Sequence, residues 1–362
     1  MKILVIAFRA LGDMVLITPV LHLLKTERPQ TELTVVVDAI SYEVLLNHPS
    51  IDRLIVVDRN ENKKLPLTQR FRKEWGLISQ LRSERFDAAV DLFGGPRSAI
   101  MTWLSGAPIR CGEKERGRLR SIFYTHPARV EREGEHLVRQ KLKIVQSLIS
   151  PASPSADRLS LELFVTDEER REGRECFRRV GISEEGVVVG LFPGAGWEHK
   201  RWPPEKFAAL ADRLVDSLGV HLVLIGGVRD RSACEEVSSR MSSPAVALIQ
   251  RSVRETMAII ERLDLFISND TGPMHIATAL GCPTIALFGP SNKIKYGPWG
   301  GQARIVSEDL PCSPCPQQVD TCEQVGRERR ECMKRIGVER VYQEAVALIG
   351  RARGQRIKLN QI

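Results

Sequence analysis

No apolar run in this sequence approaches the roughly 18 residues that a membrane-crossing helix requires. The longest, MVLITPVLHLL at 14–24, is interrupted by Thr18, Pro19 and His22, so no membrane-spanning helix is expected. A secretory leader is not expected either. The start, MKILVIAFRALGD, has one Lys, meets Arg9 too soon for an apolar leader core, and shows no small-residue cleavage site. A cytoplasmic location is expected. Aromatic residues are few, at 6%, and no helix-turn-helix or RNP-like aromatic pattern occurs, which argues against nucleic acid as a partner. The phosphate-loop spacing G-x-x-x-x-G-K-[ST] is absent, as is any fixed-period repeat or low-complexity tract.

The 362 residues favour two domains over one. Apolar residues at 43% and charged residues at 27% are ordinary for a globular protein. The net charge of +8 and a pI near 9.2 favour anionic partners: nucleic acid, an anionic membrane surface or phosphorylated substrates. The eight cysteines do not read as a disulfide framework in a chain of this length, and Cys111, Cys176, Cys234 and Cys282 are scattered singly.

Short β-rich runs alternate with helical stretches. KILVIAF (2–8), LTVVVD (33–38), RLIVVD (53–58) and DAAVDLF (87–93) form one series; VVVGLFP (187–193), HLVLIGG (221–227), LDLFISN (263–269) and TIALFG (284–289) form a second. Such alternation predicts βαβ units and two doubly wound parallel sheets, an α/β fold. SPASPSADRLSLEL (150–163) reads as a linker, so the expected domains are 1–160 and 161–362. VERVYQEAVALIGR (338–351) has helical spacing and could pack on either domain.

Four turns carry candidate chemistry. In SNDTGPMHIATALG, a strand delivers Asp270 to its carboxyl end, and Thr271, Gly272 and Pro273 open a helix through Met274 and His275. A helix N-terminus is worth roughly 0.3–2 kcal/mol to an anion, and Gly272 lets a phosphate approach the backbone. An ordinary strand-to-helix turn explains the stretch equally well, and His275 can simply fill it. In LFPGAGWEHKRWPPEKF, Gly194, Ala195 and Gly196 permit tight backbone geometry, Lys200 can reach a phosphate, and Trp197 or Trp202 offers an apolar wall. In IGGVRDR, Asp230 can accept from ribose hydroxyls or cap the next helix. Three such loops on one sheet edge describe a nucleotide-diphosphate site. In AFRALGDMVLITPVL, Arg9, Gly12 and Asp13 follow strand one; Asp13 is a candidate general base if it confronts that diphosphate, and a plain N-cap otherwise.

With these stretches assembled, the chain resembles the bacterial lipopolysaccharide heptosyltransferases of glycosyltransferase family 9. RALGDMVLITPVL, PGAGWEHKRWPPEKF and NDTGPMHIATALGCPTIALFGPS carry the likeness, in that order and over nearly the whole chain. The resemblance implies a GT-B fold, two Rossmann-like domains facing across a cleft. It also implies an ADP-heptose donor on the C-terminal domain and a lipopolysaccharide inner-core acceptor of the Kdo-lipid A type on the N-terminal one. The implied reaction inverts the anomeric centre without a metal or other cofactor. Asp13 matches the family's catalytic aspartate, Lys200 its phosphate-contacting lysine, and Asp270, Thr271, Gly272 and His275 its D-[ST]-G-x-x-H. Ala195 and Gly196 stand where some members carry hydroxyl residues. The competing readings are another nucleotide-sugar enzyme on the same fold, such as an epimerase, and a non-catalytic nucleotide-binding protein.

Basic residues in the first half are candidates for gripping acceptor carboxylates and phosphates and for holding the protein on the anionic inner-membrane surface: Arg9 and Arg120, with Arg59, Lys63, Lys64, Arg70, Arg72, Lys73, Arg97, Arg110, Lys114, Arg116 and Arg118. A solvated face explains about half of them as well. Cys312 and Cys315, at C-x-x-C spacing, with Cys322 and Cys332, could bind a structural metal, form a disulfide or stay as thiols.

Overall fold

Runs of Val, Ile and Leu buried on both faces build two parallel six-stranded sheets, one in each of two compact units, Met1–Phe164 and Val165–Ile362. The computed structural model describes residues 1–114, 119–183, 185–315 and 330–359, the last eight of these by backbone alone.

In the first unit the strands are β1 (Lys2–Ala7), β2 (Glu32–Asp38), β3 (Arg53–Val57), β4 (Ala88–Asp91), β5 (Ile109–Glu113) and β6 (His126–Ala128), ordered β3-β2-β1-β4-β5-β6. Every pairing is parallel. The helices between them are α1 (Leu11–Leu16), α2 (Thr18–Thr26), α3 (Arg59–Lys64), α4 (Leu67–Ser83), α5 (Pro96–Leu104) and α6 (Leu137–Val145). The strand order reverses between β1 and β4, which opens a crevice at their carboxyl ends. Part of the stretch read as a linker packs on this unit: Leu159, Leu161 and Leu163 are buried, and the Glu162 N–H donates to Thr18 Oγ1 at 3.0 Å.

The second unit repeats the plan. Its strands are β7 (Val188–Phe192), β8 (His221–Gly226), β9 (Val246–Ile249), β10 (Leu265–Asn269), β11 (Thr284–Phe288) and β12 (Ala303–Ser307), ordered β12-β11-β10-β7-β8-β9 and all parallel. The order here reverses between β7 and β10. Its helices are α7 (Asp167–Arg179), α8 (Pro204–Leu218), α9 (Arg231–Ser238), α10 (Val253–Ile260), α11 (Gly272–Ala279), α12 (Lys293–Tyr296), α13 (Glu331–Lys334) and α14 (Val338–Leu359). Val341, Ala345, Leu348 and Ile349 of α14 join Leu210 and Leu214 of α8 and Ile267 and Leu287 of the sheet in one buried cluster, so the last helix completes the second unit's core.

The GT-B-type α/β architecture is therefore present as two doubly wound units. Eight of the twelve strands were legible as apolar runs. The other four lie toward the sheet edges: IRCGE of β5, HPA of β6 and ARIVS of β12 interrupt their apolar residues with Arg, Gly or Pro, and VALI of β9 is only four residues long.

Helix α7 is fixed at its start by a capping box. The Thr166 N–H donates to Glu169 Oε2 at 2.7 Å, and the Glu169 N–H to Thr166 Oγ1 at 3.2 Å. The Arg254 guanidinium on α10 donates twice to the same Glu169, at 2.7 and 2.6 Å, and holds its carboxyl down at about 2. Further along, Gly173 lets α7 approach α10 so closely that a Cβ there would lie 2.9 Å from the Ala258 carbonyl oxygen. Gly173→Val is expected to cost about 1–3 kcal/mol, the usual range for overpacking. Hydrogen exchange should show β7 and β10 losing protection while β1 and β4 keep theirs. Equal loss in both units would mean that this contact is not the cause.

Candidate functional site

Strands β8, β7 and β10 lie side by side in the second sheet, so the loops that follow them share one edge. The buried Asn269 amide joins two of these loops. Its Oδ1 accepts from the Trp202 N–H at 2.9 Å, and its Nδ2 donates to the carbonyls of Pro193 at 2.9 Å and Gly194 at 3.2 Å. Next to it, Lys200 Nζ donates to the buried Asp270 carboxylate at 2.7 Å. An ammonium has three donors, so this bond anchors Lys200 while leaving two for an anion.

The β8 loop closes the group. A Cβ at Gly194 would collide with the Asp230 carboxylate, so this close approach requires glycine. Asp230 makes no side-chain cap to α9; its Oδ2 instead accepts from the Gly227 N–H at 3.1 Å. Burial pushes the Asp230 carboxyl up, against the opposing charges of Arg201 and Arg229. Arg201 itself donates to the Ala195 carbonyl at 3.4 Å and has a buried Nε without a partner.

At the start of α11 the arrangement is narrower than the sequence suggests. Pro273 has no N–H, and that of Met274 donates to the Thr271 carbonyl at 3.1 Å. The amides of Thr271 and Gly272 are the donors this helix start can still offer. The Met274 side chain packs with Ala286 and Phe288 in a fully buried cluster, and His275 is 5% exposed. Trp202 is not an apolar wall for a ligand: it is buried, donates Nε1–H to the Ile336 carbonyl at 3.0 Å and meets the Phe207 ring edge-on at 5.0 Å. Gly196 and Trp197 are exposed, and Gly194 and Ala195 are buried.

In the first unit, Asp13 lies in the first turn of α1, directly after β1 and at the edge of that sheet's crevice. It is not the N-cap, which is Ala10; Gly12 is buried beside it. Arg9 pairs with Asp13 at 3.8 Å, donates to the Phe93 carbonyl at 2.8 Å and lies over the Phe93 ring at 5.4 Å. Arg59 stacks over both Phe8 and Phe93 at 5.5 Å, and Arg97 over Phe8 at 5.1 Å. Three guanidiniums thus stand on two aromatic rings at the carboxyl edge. Arg110 does not join them, since its guanidinium is spent on the carbonyls of Phe123 and Ala107. Arg116 and Arg118 lie outside the described residues.

Beneath this edge is a buried polar network that sequence reasoning missed. Asp91 accepts from the Phe93 and Gly94 amides, Ser98 Oγ and Tyr124 Oη at 2.7–2.9 Å. Burial still pushes its carboxyl up, and burial together with Asp91's charge pushes the Tyr124 phenol up. Burial would raise Glu113 as well, but Arg132, at 2.6 Å, with Lys141 and Arg120, outweighs it and holds that carboxyl below the usual range. Arg120 thereby belongs to this network. Lys141, 3% exposed on α6, donates to the Leu92 carbonyl at 2.5 Å. The signals available in sequence were slight: a Lys in an amphipathic helix and an Asp ending a strand.

Cys312 and Cys315 are half-buried thiols, and Cys332 packs against the core beside Gly289. Cys322 lies outside the described residues, and no cluster of three metal-ligating side chains occurs among the described ones.

Burial pulls the Lys141 ammonium down to about 8 from 10.5, with Arg9 adding repulsion and Glu113, Asp91 and Asp13 opposing. The folded pKa lies below the unfolded one, so between these values the unfolded chain holds more protons and this group adds stability as pH rises. The wild type should therefore gain, relative to Lys141→Met, as pH climbs through about 8 toward 10.5. Urea midpoints for the two proteins across that window check it. Parallel midpoints would show that Lys141 is solvated.

The description "Glycosyltransferase family 9 (heptosyltransferase)" belongs to the family profile that matches residues 75–325. The chain is 28% identical over 314 residues to lipopolysaccharide heptosyltransferase 2 of Escherichia coli K12, covering 84% of this chain and 88% of that one. It is 26% identical over 365 residues to lipopolysaccharide heptosyltransferase 1 of Pseudomonas aeruginosa, covering 96% and 98%. Among solved structures, a family 9 glycosyl transferase from Veillonella parvula superposes with a TM-score of 0.82 at 26% identity, covering 96% of this chain and 97% of that one. E. coli ADP-heptose lps heptosyltransferase II superposes with a TM-score of 0.76 at 25% identity, covering 97% and 99%. With the profile spanning well over half of its length, the chain belongs to glycosyltransferase family 9, the heptosyltransferases.

Proposed function

We propose that this glycosyltransferase moves heptose from ADP-heptose to the inner core of lipopolysaccharide, a Kdo-lipid A type acceptor, with inversion at the anomeric carbon. The observation that carries this reading is the Lys200–Asp270 pair at 2.7 Å, beside the open amides of Thr271 and Gly272 and the glycine-requiring turn at Gly194. This is a set of donors suited to a diphosphate at a topological switch point. Two relatives with lipopolysaccharide heptosyltransferase in their names, and a solved neighbour named for ADP-heptose, support the choice of donor and acceptor.

In this mechanism Asp13 is the general base. Its carboxylate takes the proton of an acceptor hydroxyl as that oxygen bonds to the anomeric carbon, while the bond from that carbon to the diphosphate oxygen breaks and ADP departs. Lys200 and the Thr271 and Gly272 amides stabilise the charge growing on the leaving group. Asp230 accepts from the ribose hydroxyls. Arg9, Arg59 and Arg97 meet the acceptor's carboxylates and phosphates, with Arg120 behind them. The enzyme acts in the cytoplasm, held peripherally on the anionic inner-membrane surface by its basic first unit.

Asp13→Asn should keep ADP-heptose affinity within about twofold by titration calorimetry and lose about 10²–10⁴-fold in turnover. Lys200→Met should weaken ADP-heptose binding about 10–100-fold, the loss of one charge-assisted bond. Near-wild-type turnover in Asp13→Asn removes the base, and unchanged donor affinity in Lys200→Met removes the diphosphate site.

A further inference from the structure

The first half of α4 stands in water. From Leu67 to Gly76 every residue except Glu74 is exposed, and only beyond it do Leu77 and Leu81 reach the unit's core. Within this half Leu67, Phe71 and Trp75 are 69%, 72% and 69% exposed. Their spacing of four places all three in one stripe. At 3.6 residues per turn, Arg70 falls on one flank of that stripe and Arg72 on the other, while Lys73 lies on the far side toward α3.

Helix α3 adds the exposed Lys63 and Lys64 and is tied to α4 by Lys73 Nζ on Asn62 Oδ1 at 3.5 Å. Nearby carboxylates are already engaged: Glu61 with Lys64 at 2.6 Å, and Glu74 with Arg97 at 2.5 Å. The Glu74–Arg97 pair roots α4 on α5. The stripe is therefore apolar at its centre and cationic at both margins.

We infer that the Leu67–Phe71–Trp75 stripe is a membrane-docking element that enters the interfacial layer of an anionic bilayer, with Arg70 and Arg72 on the lipid phosphates and Lys63 and Lys64 of α3 adding to the charge. Tryptophan and phenylalanine beside basic residues are the chemistry of an in-plane interfacial helix. Each basic residue near an anionic surface adds to the attraction, and the long Arg and Lys stems allow charge to reach headgroups while the rings sink. A second copy of this chain fits poorly, because a self-paired stripe would set cations against cations. The inference deepens the proposed reading, whose acceptor is anchored in a bilayer, by naming the part of the chain that enters it.

The test uses the full chain with phosphatidylethanolamine vesicles, with and without phosphatidylglycerol, and the variant Phe71→Ser/Trp75→Ser. Both side chains are exposed, so the variant should melt like wild type. The wild type should sediment with anionic vesicles and far less with neutral ones; the variant should partition about tenfold or more weakly. Transfer to a water-soluble, deacylated acceptor should be unchanged in the variant, and transfer to vesicle-embedded acceptor reduced. Equal partitioning of both proteins overturns the inference, as does wild-type binding to neither vesicle, or a wild-type dimer that the variant loses. If neither protein transfers to either acceptor while the vesicle result holds, the proposed function fails and the docking element stands.

Discussion

The second unit's functional edge depends on one buried side-chain amide. Asn269 ends β10, yet its three hydrogen bonds reach Trp202, Pro193 and Gly194, all in the segment after β7. Because that segment also carries Lys200, and because Asp270 follows Asn269 directly, the amide fixes the register in which lysine and carboxylate meet. A carboxylate could not replace it, since the Pro193 and Gly194 carbonyls need a donor. The Gly194–Asp230 approach extends the same frame to the β8 loop.

The first unit solves a different problem. Its edge gathers guanidiniums from Arg9, Arg59 and Arg97, and their mutual repulsion needs counterweights. Asp13 and Glu74, both partly exposed, and the buried Asp38 supply carboxylates, at 3.8, 2.5 and 3.4 Å respectively. Below, Asp91 and Glu113 surround a lysine with little access to water. Lys141 is attached to the Leu92 carbonyl, just past β4 and next to Phe93, so its position and the aromatic platform are linked. Removing one member of such a network leaves charges buried without compensation.

Much of this was legible in sequence, for a definite reason. Central strands such as KILVIA and LFISN are buried on both faces and must be continuously apolar, and the loops after them need glycine, proline and a few charges, so both write themselves clearly. Edge strands do not: HPA at β6 pairs on one side only and has no apolar pattern to betray it. The paired side chains Asp270 and Lys200 were found through their turns. Asn269 and Lys141 were not, because their roles come from partners 67 and 49 residues away. Trp202 misled for a related reason: an aromatic beside a glycine-rich turn looks like a ligand wall until Phe207 and Ile336 are found to enclose it.

The two sheets share a topology, and what separates their chemistry is the source of positive charge at the reversal of strand order. In the second unit it comes from backbone amides and one lysine held by a carboxylate, a compact arrangement that suits an anion of fixed shape brought close to the main chain. In the first it comes from guanidiniums laid on Phe8 and Phe93. A stacked guanidinium keeps its edge donors free and cannot lose its proton, so it can grip carboxylate and phosphate oxygens in pairs. Each of the three also keeps a carboxylate beside it, Asp13, Asp38 and Glu74, so the platform holds its cations together despite their repulsion. An amide-lined turn suits a diphosphate, and a guanidinium-lined edge suits an acidic acceptor. The same fold used twice can therefore divide donor from acceptor without any change in strand order.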